Sequence, residues 1–323
     1  MTTPEKPYVI GLDLGGTNSV FGIVDASGNV LAETAVKTRG HGPKPQQYVN
    51  DCVQALRPII DAVGGIEKIR AMGIGAPNGN YYSGCIEFAP NLPWQQEKIP
   101  LAQLFSDVLG IPVAMTNDAN AAAIGEMTYG AAKGMKNFIM ITLGTGVGSG
   151  IVCDGQMVYG SDGMAGELGH VIVEPHDGRP CGCGRKGCLE TYCSATGVAR
   201  TAREVLQSTS LPTTLRNIPI DELESKHVGI AAAEGDAVAI DILERTGTLL
   251  GQACANFACF NSPEAFIFFG GLTKAGELLM NPIRKAYEQT ILKCYAGKAR
   301  LLLSQLPEAK AAVLGASALG WQF

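Results

Sequence analysis

Residues 8–25 read YVIGLDLGGTNSVFGIVD, and the fold turns on how that stretch is interpreted. Tyr8–Leu14 is an apolar run that ends in Gly15 and Gly16; Ser19–Val24 is a second run, and Val30–Val36 a third. The last two are joined by Asp25–Asn29, whose Asp, Ser, Gly and Asn are turn-forming residues. The pattern predicts a meander of three antiparallel strands. Beyond it, Pro45–Val63 puts Val49, Val53, Leu56 and Ile60 on one helical face. Ala71–Ala76 is expected to be a strand, Tyr81–Phe88 a hairpin around Ser83–Gly84, Leu101–Leu109 a helix and Val113–Thr116 a strand. An alanine-rich helix starts at Asn117 and runs to about Tyr129.

A second set follows in similar order. Phe138–Leu143 is a strand, then a glycine loop, then Gly150–Cys153, the turn Asp154–Gly155 and Met157–Tyr159. Ala195–Gln207 reads as a helix, Ser208–Ile220 as a polar loop, and Asp236 to about Phe260 as a long helix. Phe266–Phe269 is a buried strand, Lys274–Leu292 a helix, Arg300–Leu306 a strand and Ala309–Leu319 a last helix. Strands and helices mixed in this order predict two α/β domains with mixed sheets. The boundary is expected near Asn117: a smaller first domain over 1–117, completed by the C-terminal helix 309–323, and a larger second domain over 118–308.

Composition narrows the function classes. The chain has 323 residues, 41 of them glycine, about 13% where about 7% is usual. The glycines are clustered, which points to special backbone sites rather than linkers. Net charge is −5 and no Lys/Arg run exceeds two residues, so a nucleic-acid-binding surface is not expected. No apolar run reaches the length of a membrane span. Met1–Pro7 is polar and lacks a signal-peptide core, so a cytoplasmic protein is expected. Ten cysteines are then expected to be free thiols. Six of them, Cys52, Cys85, Cys153, Cys254, Cys259 and Cys294, lie among apolar residues and read as core.

Four constellations carry candidate chemistry. Asp13-Leu14-Gly15-Gly16-Thr17-Asn18 ends the first strand. Two glycines let the backbone turn and aim N–H groups at a phosphate, Thr17 and Asn18 add donors, and Asp13 can hold a metal ion through water. A plain hairpin turn is the bland alternative. Gly144-Thr145-Gly146-Val147-Gly148-Ser149-Gly150 follows a later strand, but it is neither a dinucleotide fingerprint nor a Walker loop. Asn117–Asp118 opens a helix, where an aspartate serves equally well as a cap or as a general base. The most specific is His170 with Cys181-x-Cys183-x4-Cys188, a closed set of four ligands with structural-zinc spacing. Cys193 falls outside that spacing, and His41, His176 and His227 read as loop or surface residues. Glu167 and Glu190 flank the knuckle (170–188), where rigid carboxylates can accept bonds from vicinal hydroxyls.

Taken together, IGLDLGGTNSVFGIVD (10–25), TNDANAAAIGE (116–126), LGTGVGSGI (143–151), GELGH (166–170), CGCGRKGCLE (181–190) and FFGGLTKAGELL (268–279) resemble the ROK family of bacterial sugar kinases and repressors. The resemblance implies an actin/hexokinase-like (ribonuclease H-like) α/β fold with a central cleft. It further implies ATP- and Mg²⁺-dependent phosphorylation of a hexose, with Asp118 as catalytic base. It implies sugar contacts at Asn78, Asn91, Asn117, Asp118, Glu167, His170 and Glu190, and zinc on His170, Cys181, Cys183 and Cys188. Asp13, Gly15, Gly16, Thr17, Asn18, Gly144, Thr145, Gly146, Gly271 and Leu272 fall on the nucleotide side. A homodimer is implied as well.

Pro77-Asn78-Gly79 departs from the Pro-Gly that many relatives carry in that loop, which bears on which hexose is preferred. Glucose is the first reading; fructose, an N-acetylhexosamine or allose are the alternatives. A sugar-sensing repressor is the second class, but only nine residues precede Ile10, fewer than a DNA-binding module needs. A redox role for the cysteines is disfavoured by the lack of a C-x-x-C motif.

Overall fold

The computed structural model describes residues 6–89, 91–94, 97–307 and 310–323. Pro90 in the Asn91 segment, Ala309 at the expected start of the last helix, and most of the polar N-terminal stretch lie outside the described residues. In chain order the elements are β1 (Tyr8–Leu14), β2 (Asn18–Asp25), β3 (Val30–Lys37), α1 (Pro45–Ala62), β4 (Ile69–Gly75), β5 (Gly79–Asn80), β6 (Cys85–Glu87), β7 (Lys98–Ile99), α2 (Leu101–Leu109), β8 (Val113–Thr116) and α3 (Asp118–Tyr129). There follow β9 (Phe138–Leu143), β10 (Val147–Cys153), β11 (Gln156–Met157), α4 (Glu190–Cys193), α5 (Ala195–Ser208), α6 (Ser225–Ala233), α7 (Ala237–Asn261), β12 (Ala265–Phe269), α8 (Glu277–Thr290), β13 (Arg300–Leu303) and α9 (Ala311–Gly320).

The chain divides into two compact units. One comprises Met1–Gly134, Met157–Ala165 and Gln305–Phe323, the other Met135–Gln156 and Gly166–Ser304. In the first unit the expected meander forms, with Leu14 opposite Ser19 and Asn18 opposite Lys37. β4 runs parallel to β1 and β8 parallel to β4, giving the order β3-β2-β1-β4-β8. The second unit repeats the plan: β9 and β10 form an antiparallel hairpin, β12 lies parallel to β9 and β13 parallel to β12, in the order β11-β10-β9-β12-β13. Each glycine turn therefore sits at the same topological place, between the first two strands of its sheet.

Packing explains why the first unit extends past Asn117. α3 lies on α9, where a Cβ on Gly125 would stand 2.8 Å from Gly315 Cα. α9 in turn lies on β1 and β4. Gly11 faces the Val313 carbonyl and Gly73 the Ala316 carbonyl so closely that any side chain would overlap them. On the other side of the sheet, α1 buries Tyr48, Val49, Cys52, Val53, Leu56 and Ile60, in keeping with its apolar periodicity.

Several expectations change. Of the six cysteines read as core, Cys259 and Cys294 are exposed and Cys153 is half-buried. The glycine loop is shorter than expected: only 144–146 form the turn, and Gly148 already pairs with Thr142 ahead of the expected strand start at Gly150. The segment before Asp236 contains α6, which sequence periodicity does not reveal. Its N-terminus is closed by a capping box in which Glu224 accepts from the third helical residue and His227 Nδ1 accepts from Glu224 N at 3.0 Å, rather than by the usual Ser or Thr with Glu.

Gly73→Ala should destabilise the first unit by about 3 kcal/mol, the upper range for overpacking a core. Both tryptophans, Trp94 and Trp321, belong to that unit, so tryptophan fluorescence in a urea titration reports its unfolding. An unchanged midpoint would mean that α9 is not seated on β4.

Candidate active site

In the first unit, the turn after β1 is closed by Gly15 N–H donating to Asn18 O at 3.0 Å. Asp13 sits at the end of β1 and Asp118 at the start of α3. Burial, then the charge of Asp118, pushes the Asp13 pKa up to about 6. Asp118 is exposed to solvent, yet the surrounding protein desolvates its carboxylate enough to raise its pKa. Its role as a mere helix cap is excluded, because Asn117 holds that place: Asn117 Oδ1 accepts from Asn120 N at 2.7 Å. One Asp118 oxygen accepts from Ala119 N at 2.8 Å, which orients the carboxylate.

Asn78 adopts a left-handed backbone with φ of 52°, a region asparagine tolerates better than most residues. Its Nδ2 donates to Glu87 O at 3.0 Å and Phe88 O at 3.3 Å. The side chain thus ties its loop to β6, just ahead of the segment that carries Asn91.

The second unit gathers the remaining candidates. Its glycine turn is closed by Gly144 N–H donating to Gly146 O at 3.1 Å. The turn rests on α5, where Ala195 N donates to Gly144 O and Thr196 Oγ1 donates to Thr145 O, both at 2.8 Å. Glu190 Oε2 accepts from Val147 N at 3.0 Å, and any side chain at Gly146 would collide with that carboxylate. Its other oxygen lies 3.8 Å from Cys181 Sγ, so Glu190 links the turn to the cysteine knuckle. Ser149 accepts from Leu168 N at 3.0 Å and donates to Gly166 O, which fastens the Glu167–His170 segment to β10.

A cavity of about 600 Å³ brings Gly144 and Thr145 together with Gly271 and Leu272. Its walls also include Ala195, Ile230, Lys226 and Lys274. Sequence reasoning missed the α6 contributions, Ser225, Lys226, Gly229, Ile230 and Ala233. The one signal for α6 was the Glu224/His227 cap.

His170, Cys181, Cys183 and Cys188 present donor atoms that all lie within 4.8 Å of one another. Cys183 Sγ is 3.7 Å from Cys188 Sγ, and Cys181 Sγ is 3.7 Å from His170 Nδ1. A tetrahedral ion with metal–sulfur bonds of about 2.3 Å requires sulfurs roughly 3.8 Å apart, so the donor set fits zinc. All ten cysteines are free. The Arg185 backbone N–H, aided by its side chain, pushes Cys183 down to about 6, while burial and the neighbouring thiols push Cys188 up to about 12. To ligate as three thiolates, these cysteines would need a cation to balance them. Gly184 and Gly187 take the left-handed turns the knuckle needs, with φ of 86° and 76°; Gly182 does not. Cys193 stands apart, fully buried against Thr246 O.

Comparison with known proteins follows the same lines. The family model described as the ROK family matches residues 9–322. A glucokinase of Streptomyces coelicolor is 38% identical over 288 residues, 88% of each chain. A glucokinase of Thermotoga maritima is 35% identical over 318 residues, 97% of each chain. The crystal structure of a ROK family glucokinase from Streptomyces griseus in complex with glucose and AMPPNP superposes with a TM-score of 0.79 at 35% identity, covering 98% of this chain and 100% of that one. The fold is the actin/hexokinase-like one. Among the described residues no helix is long and apolar enough to cross a membrane.

Purified protein should carry one equivalent of zinc, and Cys183→Ser should lose it; metal analysis of the two proteins decides, and a metal-free wild type would refute the site. A second prediction concerns Asp13. Its folded pKa of about 6 exceeds the ordinary 3.8, so between those values the folded state binds more protons than the unfolded one. Stability from this group therefore falls as pH rises through that window. Asp13→Asn should stabilise the protein at pH 7.5 by on the order of 1–2 kcal/mol, the full shift being reduced by residual solvent screening, and by little at pH 4. Urea titrations at both pH values would reveal the difference.

Proposed function

Because the chain belongs to the ROK family, we propose that it is an ATP-dependent hexose kinase, a glucokinase that forms glucose 6-phosphate. The observation that carries this reading is Asp118: an oriented, solvent-open carboxylate with raised pKa, relieved of capping by Asn117. Such a group can take the proton of an attacking sugar hydroxyl.

In this reading Asn91, Asn117, Asp118, Glu167, His170 and Glu190 hold the sugar, with Asn78 acting at its loop. The 6-hydroxyl donates its proton to Asp118 as its oxygen bonds to the terminal phosphorus of ATP; the bond from that phosphorus to the bridging oxygen breaks and ADP leaves with the electron pair. Within Gly15–Asn18 and Gly144–Gly146, the backbone N–H groups other than those of Gly15 and Gly144, which close the turns, face the phosphates, and Gly271 and Leu272 form the adenosine wall. Asp13 would hold a nucleotide-bound Mg²⁺, which would supply charge neutralisation at the phosphates. Most of the rate gain in phosphoryl transfer comes from such positioning and charge stabilisation. His170, Cys181, Cys183 and Cys188 would hold a zinc ion with no open position for catalysis; it would supply rigidity, fixing Glu190 and the His170 ring for the sugar. Cytoplasmic location and a homodimer complete the proposal; the free cysteines support the first and the family resemblance the second.

ATP-coupled turnover across hexoses and N-acetylhexosamines tests the reading: glucose should be turned over best, and inactivity on every sugar would refute the kinase. Asp118→Asn should lower kcat about 100-fold or more, the scale of a lost general base, while glucose Kd changes little. The acid limb of the wild-type pH profile should fall above the usual aspartate range, because the base must be ionised and its pKa is raised. Near-normal turnover in the variant would remove Asp118 from the role.

A further inference from the structure

The end of β3 holds the first glycine turn from outside. Thr38 Oγ1 donates to Gly15 O at 2.6 Å, Arg39 Nε donates to Gly16 O at 3.3 Å, and Thr38 N donates to Thr17 O at 3.0 Å. Three successive carbonyls are thus drawn toward residues 38 and 39. In a trans peptide the C=O and the following N–H point in opposite directions. Holding the Gly15 and Gly16 carbonyls therefore turns the Gly16 and Thr17 N–H groups to the opposite face, as an anion-binding turn requires. Thr38 is itself fixed: its hydroxyl meets Ser19 Oγ at 3.0 Å, and Tyr48 OH donates to Ser19 Oγ at 2.7 Å.

Arg39 does something that Thr38 does not. Its second terminal nitrogen donates to Asn91 O at 2.9 Å. One guanidinium spans two backbone carbonyls, Gly16 in the phosphate turn and Asn91 in the sugar segment. The two backbones already touch, since a Cβ on Gly16 would stand 3.0 Å from Asn91 O. The Asn91 segment is otherwise anchored at its flanks, by Asn78 on the Glu87 and Phe88 carbonyls and by Trp94 packed edge-on against Tyr48 at 5.2 Å. Arg39 is the hydrogen-bonded link from its middle to the phosphate turn among the described residues. A planar fork suits this task, because it reaches two acceptors at once; a lysine presents a compact point charge.

We propose that Arg39 is a positioning residue that clasps the phosphate turn to the sugar segment, so that nucleotide bound at Gly15–Asn18 strengthens sugar binding at Asn91, and the reverse. This rests on the assignments made under Proposed function. The coupling must be reciprocal, each ligand improving the other's affinity by the same factor.

The experiment is calorimetric titration of glucose with and without saturating AMPPNP, and of AMPPNP with and without glucose. Wild type should show each ligand tightening the other at least about 5-fold, the low end of ordinary coupling. In Arg39→Ala the factor should fall to about 1, while each ligand alone binds within about 3-fold of wild type. Arg39→Lys keeps the charge but not the span, and should leave most of the coupling lost. Wild-type coupling retained in Arg39→Ala would overturn the proposal. So would full restoration by Arg39→Lys, or a large loss of AMPPNP affinity on its own, because either makes Arg39 a charge for the phosphates rather than a clasp. Wild type that binds neither ligand would instead refute the assignment of the sites. A kinetic readout runs in parallel: the variant should show KM for glucose raised at saturating ATP, with kcat changed less.

Discussion

Backbone lying directly on backbone, a contact that a side chain would abolish, is the constraint on which this molecule depends. α9 reaches β1 and β4 because Gly11 and Gly73 leave the Val313 and Ala316 carbonyls room. α3 reaches α9 through Gly125 and Gly315. The same device builds the candidate site: Gly16 lies on the Asn91 carbonyl, Gly169 on the Val147 carbonyl and Gly187 on the Glu174 carbonyl, while Gly146 makes room for the Glu190 side chain. The glycine excess is thus largely a record of close approaches. It brings recognition loops together from elements far apart in sequence, at separations where small errors in geometry carry large penalties.

Electrostatics supplies the second layer. Asp13 and Asp118 belong to the same unit, and burial raises both. Such a pair opposes folding and favours a cationic ligand, a common trade between stability and function. The cysteine knuckle follows the same logic in another form. Its protonation states are at odds with one another, Cys183 pushed down and Cys188 pushed up, a conflict that the proposed zinc would resolve.

Much of this was legible in the chain. Apolar runs bounded by turn residues gave β1, β2 and β3 to within a residue or so, and α2 with the same ends, because period and punctuation agree there. The four-donor knuckle was read from spacing, and the fold brings its donor atoms together. What was hidden has physical reasons. α6 is short and contains Lys226, His227 and Gly229, so neither periodicity nor a familiar cap marks it. Gly148 looks like loop but is strand, paired with Thr142, because a glycine carries no side chain whose alternation would mark the strand. The amide of Asn78 turns to its own hairpin, and the guanidinium of Arg39 to two carbonyls, 23 and 52 positions away. Bonds to backbone acceptors leave no residue-type signature at the far end, so sequence pattern cannot report them.

The seating of α9 has a consequence for how the molecule is made. The first unit draws on three separate stretches of chain, and the helix that covers β1 and β4 is the last element in sequence. While synthesis runs from the N-terminus, the sheet bearing Gly11 and Gly73 stands with that face uncovered until the second unit has already been made. The second unit comes from two nearby stretches and can close first. Folding of the first unit is therefore a long-range, late event of the kind that slows folding and leaves apolar surface waiting for its partner. The groove that only glycine permits also sets the order in which the two halves mature.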